Sequence, residues 1–152
     1  MHAIVGAHHT SFMVANLERS LAFFRDVLGL EVLGSREIRD DYFGQIVGLP
    51  GSVVRAALIR IPGGHHVELF EYVQPRGQSV APQPCDPGST HLALVTYDLP
   101  ALYQKLKACG ADFISTPVLI TAGPNRGGYG VYLRDPNGIL LELFQPPNGE
   151  SS

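Results

Sequence analysis

The sequence predicts an α+β fold that consists of two tandem βαβββ modules, and two repeated patterns support this prediction. In one pattern a proline lies six residues before a glutamate, a glycine lies four before it, and Leu-Phe follows. The two glutamates are Glu68 and Glu142, 74 positions apart (142 − 68). In the other pattern a histidine opens an apolar strand, and a helix-capping Asn or Asp follows seven residues later. These histidines are His9 and His91, 82 positions apart (91 − 9), and the proline-rich residues 74–90 form the predicted linker.

The first module covers about residues 5–73. Residues 8–14 alternate between apolar and polar, as is typical of a half-buried strand. Asn16 is a favourable N-cap, and the apolar residues after it recur along one helical stripe that ends at Gly29. The remaining strands are expected at residues 30–38, 53–61 and 65–72, with a short helix or loop at residues 41–51.

The second module covers about residues 91–146 and repeats this order. His91 opens a strand, and Asp98 caps a helix that is expected to end at Gly110. The pattern after the helix predicts short strands at residues 112–114 and 118–120, a glycine-rich loop at 121–128, and final strands at 128–133 and 139–144.

The composition is that of an ordinary globular chain, and we expect one domain over residues 1–152. Hydrophobic residues make up 45% and charged residues 16%. The net charge of −3, with no basic run, argues against nucleic acid or an anionic membrane as a partner. No apolar stretch is long enough to cross a membrane. Two cysteines without metal-binding spacing, Cys85 and Cys109, favour a cytoplasmic protein with reduced thiols.

Strand periodicity places one histidine and one glutamate of each module on the sheet face that the helices leave uncovered. These residues are His9, Glu68, His91 and Glu142. A carboxylate in an apolar strand is costly unless a cation or another strong partner meets it. For a single histidine on a strand, a structural role is the commoner interpretation. For a single buried glutamate, an ion pair with arginine is commoner than a metal. Because the set is duplicated, we expect a divalent metal site instead, with Ni, Co, Zn, Mn and Fe all compatible with mixed N and O ligation.

Neighbouring residues are candidates for a substrate pocket. His66 shares a strand face with Glu68, and Arg126 lies in the glycine-rich loop, where it could bind a substrate anion. Arg55 could do the same, although solvated arginines are commoner. His8 and His65 are out of phase with the ligands and are expected to be structural or exposed to solvent. The pocket candidates are Met13, His66, Phe70, Tyr72, Arg126 and Phe144.

Four segments resemble those of a known family. They are residues 9–29, beginning His-Thr, and the segments Val67-Glu-Leu, His91-Leu-Ala-Leu and Asp135-Pro-Asn-Gly followed by Leu-Glu142-Leu. Together they make about residues 5–146 similar to the vicinal oxygen chelate superfamily. That superfamily includes glyoxalase I, methylmalonyl-CoA epimerase, extradiol dioxygenases and bleomycin-resistance proteins. The resemblance implies a curved mixed sheet around a metal cleft, with ligands at the two histidines and two glutamates.

Glu68 separates the branches of this superfamily. The glyoxalase I and epimerase branch has a fourth ligand at this place, whereas extradiol dioxygenases resemble the sequence only at His9, His91 and Glu142. The bleomycin-resistance proteins lack the ligands. Bacterial glyoxalase I has an arginine and an asparagine that hold glutathione where this sequence has Met13 and Tyr72. The resemblance therefore does not imply glutathione as a substrate handle.

The leading hypothesis is a metal-dependent lyase or isomerase that acts on a small α-oxygenated carbonyl compound. Glu142 or Glu68 would move the proton, while the metal ion would stabilise an enediolate as a Lewis acid. A ferrous extradiol-type dioxygenase is the first alternative. A metal-free protein that sequesters a drug is the second.

We predict a homodimer, because two-module members of the superfamily commonly dimerise. Light scattering at micromolar protein should give the mass of two chains. A single-chain mass across that concentration range would contradict the prediction.

Overall fold

Each predicted module forms a mixed β-sheet of its own in the computed structural model, which describes residues 3–147. The first unit ends at Ser79 and the second begins at Val80, inside the predicted linker. The prediction of an α+β fold with two βαβββ modules is confirmed. Within residues 3–147 no helix is both long and apolar enough to cross a lipid bilayer.

The first unit has a four-stranded sheet in the order β1-β4-β3-β2. Its first strand runs parallel to its last, and the other pairs are antiparallel. The interval at residues 41–51, where a helix or a loop was expected, contains a short helix. The elements are β1 (Thr10–Met13), α1 (Leu17–Ala22) with a π-helical continuation (Phe23–Val27), β2 (Glu31–Ile38), α2 (Asp41–Ile46), β3 (Val53–Arg60) and β4 (His66–Gln74).

The second unit repeats this arrangement in the order β5-β9-β8-β6, with the short strand β7 also paired to β8. Again the first strand is parallel to the last. The two short strands predicted after the helix are present. The elements are β5 (His91–Val95), α3 (Leu99–Ala108), β6 (Asp112–Phe113), β7 (Val118–Leu119), β8 (Tyr129–Arg134) and β9 (Leu140–Gln145).

The duplication extends to the pairing register. In the first unit Ser11 lies opposite Glu68, and in the second Ala93 lies opposite Glu142. These pairs are related by the same offsets that the sequence patterns show, 82 (93 − 11) and 74 (142 − 68). The two glutamates therefore occupy the same place in their respective sheets.

Each long helix begins at the residue type that its sequence predicts. The Asn16 side chain accepts a hydrogen bond from the backbone N–H of Arg19 at 2.9 Å, and Asp98 accepts one from Ala101 at 3.0 Å. Both bonds satisfy N–H groups that the first turn of a helix leaves without backbone partners.

A second interaction fixes each helix to the last strand of its unit. Glu71 Oε2 accepts a hydrogen bond from the backbone N–H of Leu17 at 3.0 Å. Gln145 Oε1 accepts one from Leu99 at 2.7 Å. Because Glu71 and Gln145 each lie three residues after a site glutamate, helix and glutamate are held to the same strand.

The helices pack on one face of each sheet. On that face of β4 and β9 the apolar side chains are almost fully buried, and the helices contribute equally buried leucine and phenylalanine. Burial of such side chains contributes roughly 1.5–3 kcal/mol each. The residues concerned are Val67, Leu69, Leu17 and Phe24 in the first unit, and Leu141, Leu143, Leu99 and Leu106 in the second. The side chains of Glu68 and Glu142 point to the opposite face.

Replacing Asn16 or Asp98 by alanine should reduce the free energy of unfolding by about 1 kcal/mol each, because each loses an N-cap. Urea denaturation followed by circular dichroism measures the change. Ser79→Ala, at an exposed position, is the control and should leave stability unchanged. An unchanged midpoint for both cap variants would contradict the assigned caps.

Candidate metal centre

In the first unit the predicted histidine and glutamate lie in direct contact. His9 Nε2 is 3.1 Å from Glu68 Oε2, and their side chains are 37% and 26% exposed. The Ser11 hydroxyl donates a hydrogen bond to the same carboxylate oxygen at 3.2 Å. The other imidazole nitrogen, His9 Nδ1, lies 2.7 Å from Nδ1 of His8. Both ring nitrogens of His9 are therefore engaged, and the ring orientation is fixed from two sides.

The second unit contains the equivalent pair. His91 Nε2 is 3.2 Å from Glu142 Oε2. Tyr132 lies beside both residues: its ring centroid is 4.9 Å from that of His91, and its hydroxyl is 3.4 Å from His91 Nε2. Tyr132 also lies directly opposite Glu142 on the neighbouring strand. The pair is the same as in the first unit, but its neighbours differ.

The geometry of each pair fits two ligands of one metal ion. Donors at adjacent corners of an octahedron, each about 2.1 Å from the ion, are about 3.0 Å apart, and tetrahedral neighbours are about 3.4 Å apart. The observed separations of 3.1 and 3.2 Å lie between these values. An imidazole nitrogen and a carboxylate oxygen are also the donor types that divalent transition metals accept. Each pair supplies two donors, and within residues 3–147 no cluster of three or more His, Cys, Asp or Glu side chains is suited to hold a metal ion.

Among residues 3–147 Glu68 does not form the ion pair with arginine that is the commoner interpretation of a buried glutamate. Arg55 lies on the helix side of the sheet, where it pairs with Glu71 at 3.1 Å and with Glu18 at 2.7 Å. Within the described part of the chain neither Glu68 nor Glu142 forms an ion pair with lysine or arginine. Two carboxylates therefore hold Arg55 on the side of the sheet opposite Glu68.

Five of the pocket candidates, all except Arg126, lie on the strand faces that carry the glutamates. Met13 is 54% exposed and lies opposite Phe70, which together with Tyr72 packs against Phe43 of α2. Phe144 is half-buried on β9, two residues after Glu142.

Within residues 3–147 His66 and Arg126 form no hydrogen bond or ion pair with either histidine–glutamate pair. His66 is half-buried at the start of β4. Arg126 is exposed in its loop, and its backbone N–H donates to the carbonyl of Gly123 at 3.2 Å. His65 was expected to be structural or exposed to solvent; its Nε2 forms a hydrogen bond with the Thr10 hydroxyl at 3.0 Å.

Three residues that contact the histidine–glutamate pairs were not predicted from the sequence as part of the site. Ser11 follows from the strand register, because it shares a face with His9 two residues earlier. Tyr132 would follow from pairing the last two strands, since it falls opposite Glu142. His8 was expected to be structural or exposed to solvent. It is exposed, but its ring turns back on His9, and strand phase alone does not reveal such a contact.

Two tyrosines on the faces that carry the glutamates have altered acidity. Burial, followed by the negative charge of Glu142, raises the pKa of Tyr132. Burial also raises the pKa of Tyr72. Both phenols therefore remain protonated at neutral pH, and the Tyr132 hydroxyl can donate a hydrogen bond.

Ultraviolet absorbance titration should show that both phenols ionise above the ordinary value of about 10. The folded state loses stability as the pH rises above the unfolded-state value, since an unfolded chain gives up these protons more readily. Tyr132→Phe and Tyr72→Phe should each remove one late-titrating phenol. The difference between the titration curves of wild type and each variant gives the pKa of the phenol removed. A pKa at or below the ordinary value would contradict the raised pKa of that tyrosine.

Comparison with known proteins identifies a family and several relatives. Residues 6–143 match the family described as the Glyoxalase/Bleomycin resistance protein/Dioxygenase superfamily. A 2-epi-5-epi-valiolone epimerase from Actinomyces sp is 31% identical over 149 residues, which are 95% of this chain and 81% of the relative. A probable lactoylglutathione lyase from Vibrio parahaemolyticus is 28% identical over 142 residues, 90% of this chain and 88% of the relative.

The fold is also found among solved structures. A glyoxalase family protein from Bacillus cereus superposes with a TM-score of 0.83 at 20% identity, over 97% of each chain. The match to the family alone spans residues 6–143, most of the chain. The chain belongs to the Glyoxalase/Bleomycin resistance protein/Dioxygenase superfamily.

Proposed function

We propose that this protein is a metal-dependent isomerase or lyase that acts on a small α-oxygenated carbonyl compound. The observation that carries the proposal is the pair formed by a histidine and a glutamate. It occurs twice, at equivalent register positions, with the spacing of two ligands of one ion. Each pair is also partly open to solvent, so an ion and a substrate can reach its donors.

The proposed centre uses four donors, either from one chain or across a homodimer. They are His9, Glu68, His91 and Glu142, and the proposed metal is Ni, Co or Zn, with Mn and Fe also compatible. Ligation by Nε2 of His9 requires that nitrogen to be unprotonated, so its Nδ1 must carry the proton. Nδ1 of His8, at 2.7 Å, is placed to accept the hydrogen bond from it.

When bound, a divalent ion would act as a Lewis acid that polarises a substrate carbonyl and stabilises charge on the deprotonated substrate. The protein's own groups would move the proton. In each pair Oε2 of the glutamate faces the histidine, and within residues 3–147 the other oxygen, Oε1, has no hydrogen-bond partner. Oε1 of Glu68 or Glu142 is therefore available to take a proton from a carbon next to the carbonyl.

Two carboxylates suit an epimerase in particular. Epimerisation removes a proton from one side of a carbon and returns it to the other, so one group acts as base and a second as acid. The relative at 31% identity is named as an epimerase. Met13 and Tyr72, at the places where bacterial glyoxalase I holds glutathione, also favour a substrate without that handle. An epimerase of a small hydroxylated ketone is thus the form of the proposal that we favour.

Glu68→Ala should retain the fold and lose most of the stabilisation by metal. A metal at 100 times its dissociation constant stabilises by about 2.7 kcal/mol, which corresponds to a rise in Tm of roughly 5–10 °C for a chain of this size. Melting curves with and without Ni, Co, Zn and ferrous iron measure the shift. Glu37→Ala, which removes an exposed glutamate on β2, is the control and should respond like wild type.

Equal metal-induced shifts in wild type and Glu68→Ala would rule out Glu68 as a ligand and favour the dioxygenase. That enzyme would need only His9, His91 and Glu142. The absence of any shift in wild type would favour the metal-free binding protein.

Proton abstraction can be observed directly. Metal-loaded protein in heavy water should exchange the α-hydrogen of small α-hydroxy ketones, as followed by proton NMR. Glu68→Gln and Glu142→Gln should each slow the exchange by roughly 10²–10⁴-fold, since each removes a carboxylate that can accept a proton. Oxygen consumption with catechols, without α-hydrogen exchange, would refute the proposal and support the dioxygenase.

A further inference from the structure

The strand that carries Glu68 continues into an aromatic cluster. Side chains two residues apart on a strand share a face, so Phe70 and Tyr72 follow Glu68 on the same side of β4. At about 3.3 Å per residue, Phe70 lies about 7 Å and Tyr72 about 13 Å along the strand from Glu68. What covers these aromatic residues determines how far a molecule bound at Glu68 can extend in this direction.

Helix α2 covers them. Phe43 is only 8% exposed, and its ring lies 5.7 Å from that of Phe70 in a T-shaped arrangement and 6.4 Å from that of Tyr72. We call Phe43, Phe70 and Tyr72 the aromatic wall. Buried apolar side chains of β2 and β3 pack against it, namely Ile38, Val54 and Ala56.

The face is partly open at Glu68 and beside the wall on β1. Glu68 itself is 26% exposed, and its cross-strand neighbour Leu58 is half-buried. Met13, beside Phe70 on β1, is 54% exposed. A bound molecule would therefore have polar donors at one end, an apolar floor, and a closed aromatic end.

We propose that the aromatic wall sets the length of substrate that the site accepts. It admits a compact hydroxylated carbonyl compound, up to the size of a six-membered ring, and excludes a molecule that extends a peptide-length handle along β4. An extended tripeptide alone spans about 10 Å, which is more than the roughly 7 Å between Glu68 and Phe70. This inference rests on the proposed function, because it takes Glu68 as the anchoring end of the site.

The test compares two probes that carry the same metal-chelating group. One is acetohydroxamate, and the other is a hydroxamate of the same kind joined to a tripeptide tail. Calorimetry measures the binding of each to the metal-loaded protein. Wild type should bind the compact probe at least ten times more tightly than the tailed probe.

Phe43→Ala should remove most of this discrimination, since it opens the wall without touching a donor residue. Phe43→Leu, a smaller change, should reduce the discrimination partially. It keeps the test possible if Phe43→Ala does not fold. Phe113→Leu, which alters a half-buried phenylalanine of the second unit, is the matched control and should behave like wild type.

The outcomes separate this inference from the proposed function. If wild type binds both probes equally, or if Phe43→Leu and Phe43→Ala leave the ratio unchanged, the wall does not set substrate length, although the metal centre still stands. If wild type with added metal binds neither probe, the metal centre is wrong, and the role of the wall fails with it.

Discussion

The site depends on one constraint, the parallel pairing of the first and last strands of each module. This pairing brings a residue near the start of a module beside a residue near its end. In the first unit 57 positions separate Ser11 from Glu68 (68 − 11), and in the second 49 separate Ala93 from Glu142 (142 − 93). Since side chains alternate across a strand, a slip of one residue would turn the glutamate toward the helix. The contact between histidine and glutamate thus exists in one register only.

The helix side of each sheet maintains that register. The last strand presents fully buried valine or leucine to the helix and a glutamate to the other face. Its next polar residue on the helix side, Glu71 or Gln145, then accepts a hydrogen bond from the first turn of the helix. A slipped strand would bury a carboxylate among apolar side chains and leave that N–H without its acceptor. Both costs oppose the slip, so the position of the site follows from the packing of the opposite face.

The sequence was informative wherever chemistry repeats with a fixed period. The strands, the caps at Asn16 and Asp98, and the placement of each glutamate on the face away from the helix could all be predicted from alternation and duplication.

Contacts that depend on side-chain direction could not be predicted in this way. Arg55 points toward two carboxylates on the helix side, and Phe43 comes from a short helix that the second module does not repeat. His8 reaches its neighbour by turning its ring, which strand phase does not encode. The joint site of the two pairs stays a prediction from the duplication.

The two modules are alike in their donors and unlike in what surrounds them. Ser11 of the first module corresponds to Ala93 of the second, and Leu58 corresponds to Tyr132, because both pairs of residues lie opposite the equivalent glutamates. One carboxylate thus has an aliphatic hydroxyl beside it, and the other has a phenol. In an assembly of identical single modules any change to one site residue would appear at every copy. Joining two modules in one chain removes that restriction, so the neighbours of one glutamate can change while those of the other stay the same.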